Sequence, residues 1–175
     1  MKRTIALASL LALIALPAAA SQFKAFDREA QVKGSDLILV GHVLSTRSEW
    51  APNRSAIYTD AEIAVDEVWK GLPASDRVVV RTVSGTVDGV TLEVEGAARF
   101  TEGEEVLVFL HDGGGVLTPW GMAFGKYEIV GSGADEFAIG SMPPAVSGAQ
   151  KFVQVSITMD DLHDEVRSIL DKEGE

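Results

Sequence analysis

The 175-residue chain contains no cysteine. That absence excludes disulfide staples, thiolate nucleophiles, Cys-type zinc sites and lipid attachment to a cysteine, so a hydrophobic core has to hold the fold together. Histidine is scarce as well, limited to His42, His111 and His163, and no H-E-x-x-H helix or Cys/His cluster accompanies them. Positive charge is in deficit. With 15 basic and 26 acidic residues the formal net charge is −11, which excludes nucleic acid and anionic membrane surfaces as partners. No long apolar run follows the first twenty residues, so no stable membrane anchor is expected once that segment is removed.

Those twenty residues carry the plainest signal in the chain. Lys2 and Arg3 precede an apolar stretch, residues 5–16, and Pro17 leads into Ala18-Ala19-Ala20. A basic start, a short apolar segment and small residues at the end form a secretory signal peptide, with cleavage expected before Ser21. The protein is therefore expected in the periplasm or outside the cell. Loss of Lys2 and Arg3 lowers the 15 basic residues to 13 and makes the exported protein more acidic still. The remaining 155 residues suit one domain, residues 21–175.

Along that domain the periodicity is mostly that of strands. Residues 26–33 predict a short helix that ends at Gly34 in a left-handed conformation. Residues 37–43 are rich in β-branched and apolar side chains, and residues 57–65 alternate in polarity. A third strand is centred on Val78-Val79-Val80. A fourth, residues 90–95, follows the Asp88-Gly89 turn, and the run Val106-Leu107-Val108-Phe109-Leu110 reads as a strand buried on both faces. Gly113-Gly114-Gly115 then turns the chain toward weaker strands at 126–130 and 136–139. The spacing becomes helical at the end, where Leu162, Val166, Ile169 and Leu170 share one face and Thr158 with Asp161 forms a capping pair. The expected fold is mainly β: an OB-like antiparallel β-barrel with a short N-terminal helix and a C-terminal amphipathic helix. Its strands start at Leu37, Ile57, Arg77, Val90 and Glu105, and the last helix covers an opening.

The order Ser35-Asp36-Leu37-Ile38-Leu39-Val40-Gly41-His42-Val43, Ile57-Tyr58-Thr59, Val68-Trp69-Lys70-Gly71 and Leu107-Val108-Phe109-Leu110 resembles a family of uncharacterised exported bacterial proteins. Their core is similar to the netrin-like domain of tissue inhibitors of metalloproteinases. The resemblance spans residues 35–110 and implies an OB-type barrel. It implies no inhibitory site, because those inhibitors act through an N-terminal cysteine and this chain offers Ser21-Gln22-Phe23.

No catalytic residue, metal ligand or cofactor is assigned. No G-x-S-x-G elbow or phosphate-binding glycine loop is present, and the carboxylate clusters lack the spacing of a calcium loop. The aromatics give the binding candidates: Trp50 lies in a long exposed loop expected over residues 48–55, and Trp120 in the connection Pro119-Trp120-Gly121-Met122. Two indoles at one end of a barrel would stack on a carbohydrate or anchor an envelope or secreted protein. The expectation is a noncatalytic binding or assembly module; the alternative is an exported hydrolase built from dispersed residues, with His42 or His111 beside a carboxylate.

Overall fold

The computed structural model describes residues 27–142 and 153–173, so the expected signal peptide and its expected cleavage site before Ser21 lie outside the described residues. The chain runs through helix α1 (Arg28–Gly34) and the long strands β1 (Leu37–Trp50) and β2 (Ile57–Lys70). Next come β3 (Arg77–Val83), the short β4 (Gly85–Val87) and β5 (Val90–Leu92), then β6 (Glu105–Asp112) and β7 (Leu117–Pro119). β8 (Lys126–Val130), β9 (Phe137–Met142), β10 (Val153–Thr158) and helix α2 (Met159–Glu173) complete it. The protein is mainly β, with a closed five-stranded barrel flanked by a short helix near the N-terminus and a C-terminal helix.

The ring runs β1-β2-β3-β7-β6 and returns to β1 through the antiparallel ladder from Leu37 opposite Leu110 to His42 opposite Glu105. β6 is shared. One edge meets β1, while the other meets β8 along Val106 to Val108 and β7 along Leu110 to Asp112, so β8, β9 and β10 continue the sheet away from the ring. This sharing explains the apolar run in β6. Val106, Val108 and Leu110 point into the barrel with Leu37, Leu39, Ile63 and Val80, whereas Leu107 and Phe109 point out with Ile38 and Val40 into a second core under the helices.

Two expectations are corrected here. Residues 90–92 do not enter the barrel: they pair only with β4, in a hairpin turned by Asp88 and Gly89 at positive φ, and the ring is closed by β7 instead. Helix α2 does not cover a barrel opening either. Its buried Leu162 and Val166 pack with Tyr127, Ile129 and Ala138 on the outer face of the sheet. The capping pair forms as expected, with the Asp161 backbone N–H donating to Thr158 Oγ1 at 3.1 Å.

Helix α1 ends without a left-handed residue, because Gly34 has no positive φ. Its free carbonyls find other donors: the Lys70 ammonium reaches Val32 O at 2.8 Å and Lys33 O at 3.3 Å, and Ser35 Oγ donates to Gln31 O at 2.7 Å. The glycine serves close approach instead. A Cβ there would run into Nε1 of the Trp120 indole, which lies against the helix end.

Candidate functional site

The barrel has one weak join. β3 and β7 run parallel and meet at a single pair, Val80 with Leu117. β7 is only three residues long and ends at Pro119, which has no N–H to extend a ladder, and Gly121 and Met122 then take positive φ to turn the chain away. The strands splay beyond the join. Residues 93–100 cross behind the opening, held by the Ala123 N–H donating to Gly96 O at 2.9 Å, and the buried Ala98 closes its base.

The resulting cleft has a volume of ≈ 440 Å³ and is lined largely by Tyr58, Val83, Ala97, Ala98, Val116, Pro119 and Met122. Its size falls within the range of small-ligand sites. Val116 and Met122 are exposed at its rim. Arg81 contributes the cation, but that charge is already engaged. Its Nε and Nη2 each donate to the Asp60 carboxylate at 2.6 Å, Nη2 also reaches Glu49 at 3.1 Å, and the guanidinium lies 5.5 Å from the Tyr58 ring centroid. The hydrogen bonds to Asp60 raise the pKa of the guanidinium, against burial, which lowers it. With two carboxylates fixed on it, Arg81 shapes a wall and leaves no net positive charge to attract an anion.

A smaller cavity of ≈ 260 Å³ opens at the barrel mouth below the β4 and β5 hairpin. It is rich in hydroxyls that satisfy one another: Ser48 and Thr59 are 2.8 Å apart, Thr59 donates to Ser84 O at 2.6 Å, and Thr86 and Thr91 are 2.9 Å apart.

The structure separates the two predicted indoles. Trp50 stands at the far end of β1, paired with Ile57 beside the turn at residues 51–56, whereas the Trp120 backbone donates to Phe109 O and its ring packs on the helix-side core. They do not form one surface: Trp120 packs against the end of α1, and Trp50 packs within its own turn. Trp50 is folded back under Arg54, whose guanidinium is 5.0 Å from the ring centroid, and its indole N–H is buried. Sequence reading selected Trp120 and missed the cleft beside it, although Pro119 and Met122 on either side are both cleft residues. The proline and the following glycine were the visible signal.

The histidines fall into separate places. His42 Nδ1 is 2.5 Å from Asp66 with its Nε2 3.8 Å from Glu105, and His111 Nδ1 is 2.8 Å from Asp36. Asp36 also accepts the Asp112 backbone N–H at 2.8 Å, the main cause of its lowered pKa, with His111 adding to it. His163 lies against Trp69, ring centroids 4.8 Å apart. Among the described residues, neither histidine-carboxylate pair has a serine or threonine hydroxyl within hydrogen-bond distance of its ring, and no three His, Asp or Glu side chains converge to hold a metal ion. The chain matches no known family model and no curated protein.

Proposed function

We propose that this protein is an exported, noncatalytic binding module that seats an uncharged apolar group of an envelope or secreted partner in the cleft between β3 and β7. The carrying observation is the composition of that cleft. Apolar side chains make up most of its wall, and its one cation is neutralised by Asp60 and Glu49. Such a surface rewards removal of apolar area from water and offers little to an ion. A carbohydrate fits less well, since beyond Tyr58, Arg81, Thr82 and Thr118 the wall its hydroxyls would meet is apolar. Export rests on the signal-peptide pattern of residues 1–20. The five-strand closure supports a scaffold similar to the OB-type barrel of netrin-like domains.

Val116→Lys and Met122→Lys place a charge at an exposed rim position, whereas Val90→Lys does so on the separate hairpin. Partners are cross-linked in the exporting cell and quantified by mass spectrometry, with melting midpoints measured in parallel. Capture of the same partner should fall about tenfold for the two rim variants and stay unchanged for Val90→Lys, with all three melting like the parent. Undiminished capture by the rim variants would remove the cleft from the binding surface.

A further inference from the structure

The cavity at the barrel mouth is walled by hydroxyls. Of the twelve residues that line its ≈ 260 Å³, seven are serine or threonine, drawn from β1, β2, β3, the β4 and β5 hairpin and the link at Ser84. The hydrogen bonds among them have a forced direction. Thr59 Oγ1 donates its one proton to the Ser84 carbonyl at 2.6 Å, so at the 2.8 Å contact with Ser48 it can only accept, and Ser48 is the donor. Thr82 Oγ1 turns toward Thr59 O at 3.4 Å. Those protons are committed within the wall, and what remains is lone pairs, two on Ser48 Oγ and one on Thr59 Oγ1. Gly85, at φ +142°, leaves the pair uncovered, because a Cβ there would lie 2.5 Å from both oxygens.

Two further hydroxyls of the lining have no protein partner. Ser84 is only 9% exposed, yet among the described residues its Oγ meets no donor or acceptor of the protein, and neither does the Thr46 hydroxyl. A hydroxyl so far withdrawn from bulk water is costly until something in the cavity bonds to it. The charges of the lining are already paired. Arg99 Nη2 donates to the Glu93 carboxylate at 2.7 Å, so neither an anion nor a cation finds an uncompensated partner here. Phe100 and Leu92 supply apolar surface.

We propose that this cavity binds one neutral polyhydroxyl ring, a single monosaccharide unit. Such a ring brings O–H donors to the lone pairs of Ser48 and Thr59, bonds to the unsatisfied hydroxyls of Ser84 and Thr46, and has a C–H face for apolar side chains such as Phe100. Volume limits the ligand. At ≈ 260 Å³ the cavity is below the about 300–1,000 Å³ of sites for drug-sized molecules, so it admits one ring and not a chain of them. It shares only Thr82 with the apolar cleft between β3 and β7, and the two readings stand or fall separately.

Saturation-transfer difference NMR on the purified protein tests the proposal, with glucose, mannose, galactose, N-acetylglucosamine and the methyl glycoside of each as probes at millimolar concentration. Transfer to the ring protons of at least one sugar should rise and saturate with concentration. Transfer to its methyl glycoside as well identifies the ligand as the end unit of a glycan, whereas transfer to the free sugar alone identifies a free monosaccharide. Ser84→Ala and Thr46→Val should each weaken the affinity about threefold or more. Because each hydroxyl lacks a protein partner, the melting midpoint should stay level or rise; a hydroxyl that served only the fold would lower it. Ser168→Ala on α2 should change neither quantity. No transfer to any of these sugars overturns the proposal. So does transfer that both substitutions leave untouched, which would place the sugar elsewhere, and so does a loss of binding that only follows a loss of folded protein.

Discussion

Replacing Arg28 by methionine should unpin both helices from the barrel. Its side chain is only 10% exposed, and it donates through Nη1 to Gln31 Oε1 and to the Tyr127 hydroxyl, each at 2.6 Å. It approaches Glu165 of α2 at 3.3 Å and lies 5.7 Å and 5.2 Å from the Phe109 and Tyr127 ring centroids. Gln31 is fully buried and its amide N–H₂ is committed to Phe124 O. Its carbonyl therefore loses a donor that water cannot easily replace, at a cost of about 1–3 kcal/mol. The two ring contacts add about 0.5–1 kcal/mol each. The half-exposed Glu165 pair adds less than about 1 kcal/mol because solvent screens it. Methionine retains part of the apolar stem, so the net loss should be about 3 kcal/mol, or a fall of about 6–12 °C in the melting midpoint for a domain of this size. Urea unfolding followed by circular dichroism measures it, and a cycle with Tyr127→Phe should show coupling of about 1 kcal/mol. A loss under about 1 kcal/mol with coupling within about 0.3 kcal/mol of zero would refute the view that this guanidinium holds the layers together.

Leu162→Ala, at a fully buried position on α2, should destabilise the whole fold by about 3 kcal/mol; a change near zero in urea unfolding would make the helix an appendage. Gly34→Ala drives a Cβ into the Trp120 indole and should cost about 1–3 kcal/mol, with a shift in tryptophan emission as the ring moves. Burial raises the Tyr127 pKa above the ordinary 10.0, outweighing Arg28, which lowers it. The unfolded phenol ionises first, so this contribution is complete below pH 10.0 and is lost as the pH rises toward the folded pKa. Urea midpoints on either side of that value should show the loss in the parent and a smaller one in Tyr127→Phe.

Strands and helices were legible where local chemistry alone decides them. The alternation in residues 57–65, the uninterrupted apolar run of β6, the Asp88-Gly89 turn and the Thr158 cap all appear as read. Ring closure was not legible. Val90, Thr91 and Leu92 have better strand chemistry than Leu117, Thr118 and Pro119, yet the latter close the barrel because β7 follows β6 through a glycine turn and lands beside β3. Membership of a ring is decided by that long-range geometry. β10 escaped notice for a related reason, since its six uncharged residues run directly into the helix without a turn signal. The candidate site was legible only in part. An indole before a glycine marks a connection, but which side chains face the opening depends on where two strands separate, and a sequence read locally carries no trace of that.

β1 and β6 form a partition with apolar material on both sides, and that arrangement governs how the molecule comes apart. A domain with two hydrophobic cores has the means to melt in two stages, shedding the helix layer first and keeping the barrel. Here the residues that floor one core alternate along the same backbone with those that wall the other, as Leu37 and Leu39 do with Ile38 and Val40. Stripping the helices would leave Ile38, Val40, Leu107 and Phe109 facing water on strands whose other face still demands burial. Neither half is a tolerable end state without the other. The protein should therefore behave as one cooperative unit, and a defect planted beneath the helices should be felt inside the barrel.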